Sequence, residues 1–173
     1  MSEQIRVLLS EEELDRKIAE LGERISKDYE GESVHLICIL KGSIFFTCEL
    51  AKRITVPVTI DFMTTSSYGA GTVSSGEVKI KSDVEIPVDG RNVLIVEDII
   101  DSGNTLHFLQ DVFKDRNAKS VRLSTMLDKQ DRREVDVDVD YVGFTIPDEF
   151  VVGYGLDYDQ KYRNLPYIGV VEL

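Results

Sequence analysis

Residues 93–106, VLIVEDIIDSGNTL, pass from an unbroken apolar run into three carboxylates, Glu97, Asp98 and Asp101, and then into Ser102, Gly103, Asn104 and Thr105. Carboxylates about 6 Å apart repel by roughly 3 kcal/mol per pair at an effective dielectric near 20, so a cluster of three calls for donors or cations. Ionised, they only accept hydrogen bonds. That suits vicinal sugar hydroxyls, and the same oxygens suit Mg²⁺, directly or through water. The residues that follow have the opposite chemistry: Gly103 permits a tight turn, Ser102 and Thr105 bring hydroxyls, and a helix opening there offers unpaired backbone N–H groups to an anion. A ligand that fits both halves carries hydroxyls at one end and a phosphate at the other, the layout of a ribose 5-phosphate. Either half alone is more often helix capping or solvated surface. Their succession directly behind a buried strand favours a binding site.

Those groups need a strand to carry them. Residues 92–96 read as a strand buried on both faces, and its carboxyl end, where open α/β sheets receive ligands, would present Glu97 and Asp98. Residues 34–40 predict a second such strand, closed by Lys41, Gly42 and Ser43. A helix over 44–54 and an apolar strand over 56–63 follow, which implies a right-handed crossover. Upstream, Ser10 and Glu13 have capping-box form and Leu14, Ile18, Leu21 and Ile25 recur at helical spacing, so an amphipathic helix opens there, with Gly31 just past its end. Residues 78–86 alternate as in a half-exposed strand, 105–115 predict a helix, 120–127 a strand, and 141–146 and 167–171 late strands. Residues 64–76 lack apolar periodicity and read as a long surface loop, of the kind that often forms a lid. Without an internal repeat or an interdomain linker, residues 1–173 are expected to form a single domain, and the βα alternation favours a doubly wound sheet.

The totals narrow the function classes. A length of 173 residues with 42% hydrophobic content is enough for one sizeable core. The net charge of −12 opposes general nucleic-acid binding, which needs a cationic footprint. No charged leader and no membrane-length apolar stretch is visible, so a cytoplasmic protein without a membrane partner is expected. Cys38 and Cys48 form no CxxC pair and are expected to be buried free thiols. A P-loop is absent, and the glycines of 69–76 miss GxGxxG spacing. Asp136, Asp138 and Asp140 imitate the start of a calcium loop, but Tyr141 stands where that loop needs Gly, so they are read as the solvent face of a strand. His35 and His107 are too isolated to argue for zinc.

Taken together, EDIIDSGNTL, Leu40 with Lys41 and Gly42, Ser67 with Tyr68, the stretch Leu127, Asp128, Lys129, and IPDEFVVGYGLDYDQKYRNLPYIG at 146–169 resemble the hypoxanthine-using branch of the purine/pyrimidine phosphoribosyltransferase family, in the same order and over nearly the whole chain. The resemblance implies a type I phosphoribosyltransferase fold: α/β, a central mainly parallel sheet flanked by helices, with a small hood and a flexible lid loop. It also implies purine salvage, in which a 5-phosphoribosyl group passes from 5-phosphoribosyl 1-pyrophosphate to N9 of a 6-oxopurine base, hypoxanthine or guanine. The products are IMP or GMP and pyrophosphate, with Mg²⁺ as cofactor, in a homodimer or homotetramer. By the same likeness Asp101 is the catalytic base near purine N7, Glu97 and Asp98 face the ribose hydroxyls and the metal, and Ser102, Gly103, Asn104 and Thr105 hold the 5′-phosphate. Lys41 and Gly42, preceded by an unusual peptide, form the pyrophosphate loop with Arg163, and Asp157 is a further metal ligand. Lys129 addresses purine O6, Phe150 stacks on the base, the Val151 backbone reads its edge, and Ser67 and Tyr68 belong to the lid. Asn104 departs from relatives that carry a basic residue there, which shifts phosphate binding onto backbone N–H groups.

Two other classes compete. A regulatory protein that keeps the fold but senses nucleotides would have less use for Asp101. A flavodoxin-like or response-regulator domain would also place acids at strand ends, yet leaves Lys129 and Phe150 unexplained.

Overall fold

The computed structural model describes residues 3–67 and 77–172. The chain runs β1 (Gln4–Leu9), α1 (Glu11–Asp28), β2 (Val34–Ile39), α2 (Ile44–Ala51), β3 (Val58–Ser67), β4 (Val78–Ser82), β5 (Asn92–Ile100), α3 (Asn104–Asp115), β6 (Ser120–Asp128), a 3₁₀ turn (Gln130–Arg132), β7 (Tyr141–Thr145), β8 (Val151–Val152) and β9 (Ile168–Glu172). Six strands form one sheet in the order β4-β3-β2-β5-β6-β7, parallel throughout except for the antiparallel edge strand β4. A second antiparallel sheet, β1-β9-β8, makes the small hood.

Both faces of the large sheet are covered, which is why β2 is apolar at every position but His35 and β5 is apolar from Val93 to Val96. Leu36, Leu94 and Val96 join the core beneath α1 and α2, while Ile37, Ile39, Val93 and Ile95 join the core beneath α3. Alternation along β2 and β5 thus feeds two cores from one run of sequence. Truncating a fully buried residue such as Leu94 would cost about 2–5 kcal/mol. The order places β5 between β2 and β6, so its carboxyl end opens at the middle of the sheet.

Several expectations need correction. Residues 64–67 extend β3 instead of looping, because they pair with β4. The half-exposed strand stops at Ser82 and not at residue 86; there Asp61, almost fully buried, accepts the backbone N–H groups of Glu85 and Ile86 and turns the chain away. Strand β5 continues to Ile100, past the acids, by pairing with β6 up to Asp128. Helix α2 ends at Ala51, before residue 54. Cys48 is exposed, and only Cys38 is buried. Asp136, Asp138 and Asp140 are exposed as expected, alternating with half-buried valines, but their segment belongs to no strand. Strands β1 and β8 are not among the expected elements: Gln4–Leu9 is a half-exposed six-residue strand directly before α1, and Val151–Val152 is only two residues long. His35 is buried and bonded to Thr59, whereas His107 is exposed. Among the described residues no helix is long and apolar enough to cross a membrane.

Candidate active site

At the carboxyl end of β5 the half-buried Glu97 lines a cleft of roughly 240 Å³ together with Val78, Ile99, Ile100, Asp101 and the 102–106 turn, and the half-buried Asp98 stands beside it against Gly42. Burial, then the neighbouring Asp98, pushes the Glu97 carboxyl well above the usual carboxylate range, and burial likewise raises Asp98. Each is tied to backbone: the Asp98 N–H donates to Glu97 Oε1 at 3.1 Å and the Ile99 N–H to Asp98 Oδ1 at 2.6 Å. Two crowded acids that resist joint ionisation are what a hydroxylated sugar or a divalent cation would relieve. Among the described residues no three His, Cys, Asp or Glu side chains converge as a metal cage. An all-oxygen pair with the rest of the shell open suits Mg²⁺, which keeps waters and substrate oxygens as ligands.

One turn on, Gly103 adopts φ 87° and caps α3 without a side-chain bond, and the first helical turn contains no acid. Ser102 Oγ accepts the Asn104 N–H at 3.2 Å, which shapes the turn, and Asn104 Nδ2 donates to Glu134 at 3.2 Å. The helix start is therefore electropositive with no acid of its own in the first turn, and Glu134, whose carboxylate approaches it, is engaged by the Asn104 side-chain amide. Ser102, Gly103, Asn104 and Thr105 line the same cleft as Glu97 and Asp101.

Opposite this turn, Asp101 Oδ1 lies 3.9 Å from Lys129 Nζ, whose other neighbour is Asp148 Oδ1 at 3.5 Å. Lys129 is only 9% exposed, far less than a solvated surface lysine. Arg132, then Lys129, holds the Asp148 carboxyl below its usual range. Phe150 is 52% exposed and packs edge-on against Tyr158, with ring centroids 5.6 Å apart. Next to it, Val151 is buried where β8 pairs with β9.

A third group surrounds Gly42. The Leu40–Lys41 peptide is cis. A Cβ on Gly42 would strike the Asp98 carboxylate, and one on Gly155 would strike the Gly42 carbonyl, so the two glycines let the loop after β2 lie against the acids and under the hood. Lys41 Nζ and Arg163 Nη2 both donate to Gln160 Oε1, at 3.3 and 3.1 Å. Arg163 Nη1 donates to the Gly155 carbonyl at 2.7 Å, and Asp157 accepts the Gln160 N–H while pairing with Arg163 at 3.4 Å. Asp157 is thus engaged with Arg163 and the Gln160 backbone.

The residues expected from sequence fall into these three groups. Ser67 closes β3, and Tyr68 lies outside the described residues, as does the expected lid over 68–76. Sequence reading overlooked Gln160, Asp148 and Glu134. The first two lie inside the 146–169 motif, which was the only available signal; Glu134 had none.

A family model described as phosphoribosyl transferase domain matches residues 7–159. A curated relative from Streptococcus thermophilus, hypoxanthine-guanine phosphoribosyltransferase, is 52% identical over 167 residues, covering 96% of this chain and 93% of that protein. A solved hypoxanthine-guanine phosphoribosyltransferase from Bacillus anthracis superimposes with a TM-score of 0.94 at 50% identity, over 98% of this chain and all of that one. A hypoxanthine phosphoribosyltransferase from Staphylococcus aureus gives 0.93 at 47% identity, over 96% and 91% of the two chains.

Proposed function

The chain belongs to the phosphoribosyl transferase family and is an enzyme of that class; on that premise we propose that it serves purine salvage, transferring the 5-phosphoribosyl group of 5-phosphoribosyl 1-pyrophosphate to N9 of hypoxanthine or guanine. IMP or GMP and pyrophosphate are the products. The observation that carries this reading is the junction of the half-buried Glu97 and Asp98 with the uncapped start of α3, one end fit for sugar hydroxyls and the other for a phosphate.

Around that junction the roles divide by chemistry. Glu97 and Asp98 accept the ribose hydroxyls and tolerate positive character at C1 as the bond to pyrophosphate lengthens. Ser102, Gly103, Asn104 and Thr105 hold the 5′-phosphate. Lys41, the Gly42 backbone and Arg163 hold the pyrophosphate; their two cations already converge on one oxygen, that of Gln160. Asp101 takes the purine N7 proton, a role usually contributing about 10²–10⁴-fold. Lys129 donates to purine O6, Phe150 offers its open ring face to the base, and the Val151 backbone reads the base edge. When bound, Mg²⁺ held through Glu97, Asp98 and Asp157, directly or through water, supplies charge stabilisation to the leaving pyrophosphate. Ser67 and Tyr68 close over the reacting centre and exclude water.

Release of pyrophosphate should be followed with hypoxanthine, guanine, xanthine and adenine, with and without Mg²⁺. Hypoxanthine and guanine turn over and adenine does not, because its amino group confronts the Lys129 ammonium with a second donor; equal turnover of adenine, or none with any base, would reject the assignment. Exposed Ile44 and Phe45 on α2 and Ile60 and Phe62 on β3 support assembly as a homodimer or homotetramer, checked by sedimentation. The free, exposed Cys48 suits a reducing compartment and supports the cytoplasm as the place of action. We further read residues 1–173 as one phosphoribosyltransferase domain.

A further inference from the structure

The turn that opens α3 contains Ser, Gly and Asn, has a left-handed residue at its centre and lacks a side-chain cap, so it has little stiffness of its own. Something else must hold it. Asp128, at the carboxyl end of β6, is 3% exposed, and its carboxylate is paired with the guanidinium of Arg133. The same guanidinium donates from Nε to the Asp101 carbonyl at 3.4 Å. The next two N–H groups, of Glu134 and Val135, both donate to the Ser102 carbonyl, at 2.9 and 3.2 Å. A Cβ on Gly103 would come within 3.0 Å of Arg133 Cδ, and Asn104 donates to Glu134. Each of the four residues 101–104 is therefore seated on the 133–135 segment.

We propose that Arg133 is a positioning residue for phosphate binding: neutralised by Asp128, it holds the Asp101 carbonyl and anchors the segment whose next two N–H groups hold the Ser102 carbonyl, and so keeps the 101–105 turn shaped to receive an oxyanion. The inference rests on reading that turn as the 5′-phosphate site. A buried charge pair adds little stability over apolar residues of similar size, so its retention here fits a task of fixing geometry. Asp128 also adjoins Lys129, whose N–H donates to the Ile100 carbonyl at 2.9 Å, so the strap begins beside the purine-side lysine and ends under the phosphate turn.

Removing Arg133 alone would strand a buried carboxylate and could unfold the chain. The test is therefore the double variant Asp128→Leu/Arg133→Met, compared with Arg133→Lys, using ribose 5-phosphate and guanosine as probes in calorimetric titration of full-length protein. Arg133→Lys keeps the charge pair but loses the planar fork that serves two acceptors. Both variants should melt within a few degrees of the parent, lose ribose 5-phosphate affinity by about 10-fold or more, and raise the KM for 5-phosphoribosyl 1-pyrophosphate by a similar factor with little change in kcat. Guanosine affinity should hold. Ribose 5-phosphate affinity within about twofold of the parent in the folded double variant, or a parallel loss of guanosine, would overturn the proposal. Should the parent bind ribose 5-phosphate yet turn over no purine, while the double variant loses that binding, the anchor is supported and the purine reaction rejected. A parent that binds no ribose 5-phosphate overturns both.

Discussion

Helices α1 and α3 begin in opposite ways. At α1 the Ser10 hydroxyl accepts the Glu13 N–H at 3.1 Å, the Glu13 carboxylate returns to Ser10, and Glu11, Glu12 and Glu13 place three acids on the first turn. At α3 the capping position is a left-handed glycine, which has no side chain to cap with, and no acid follows in the first turn. The first helix spends its dipole internally and the second leaves it to a ligand. In one chain of net charge −12, the scarcity of carboxylates on the first turn of α3 is itself informative. Acids stand just before that turn, in Glu97, Asp98 and Asp101, and none within it.

The contrast can be broken at several points. The largest effect should come from Asp101→Asn, which removes the proton acceptor and leaves the helix start intact. Turnover should fall about 10²–10⁴-fold while ribose 5-phosphate still binds, in steady-state kinetics beside calorimetry. Thr105→Asp makes α3 resemble α1: an acid about 6 Å from a bound phosphate costs roughly 3 kcal/mol at intermediate dielectric, about 100-fold in ribose 5-phosphate affinity, while the melting temperature holds or rises. Simultaneous loss of melting temperature and affinity would instead indicate a damaged fold. At α1, Ser10→Ala should cost about 1 kcal/mol of stability in denaturant unfolding and leave the KM of both substrates unchanged.

The smallest effect concerns the hood. Glu3 is held to a pKa of about 2, from 4.5, by Tyr162 first and by Lys161, to which it bonds at 2.5 and 3.3 Å. A carboxylate depressed on folding adds stability that is fully present above 4.5 and lost as pH falls through about 2. The difference in melting temperature between the parent and Glu3→Gln should therefore be largest at neutral pH and shrink across that acidic window. A difference constant from pH 6 to pH 2.5 would show that the Glu3 carboxylate is not the anchor.

How much of this was legible follows the same division. The sugar and phosphate side is written as one contiguous stretch, in which an apolar strand, crowded acids and a Gly turn each have a local physical meaning. Two-sided burial likewise announced β2 and β5 through nearly continuous apolar runs, while β6, with Arg122, Ser124 and Thr125 among its apolar residues, followed from the βα alternation. The proposed purine and pyrophosphate side draws on Lys41, Lys129, Phe150, Asp157 and Arg163, four ordinary surface types and one aromatic of core type, whose relation only folding creates. Resemblance named these five, and composition could not have done so. Gln160 and Arg133 escaped because hydrogen bonding to a distant side chain or a loop carbonyl leaves no periodic trace. The hood strand β1 escaped for a different reason: its alternation over Gln4–Val7 and the short apolar run Val7–Leu9 stop at the Ser10 cap of α1, too brief to stand out beside that helix.

The hood joins the two extremes of the sequence, since β1 pairs with β9, and β9 in turn holds β8 beside Phe150. Every strand of the large sheet precedes β9 in synthesis, so the phosphate turn and its acids can assemble on a nascent chain while the wall that would receive the base is still unmade. A wall able to receive the proposed base would thus be completed only once β9 has emerged.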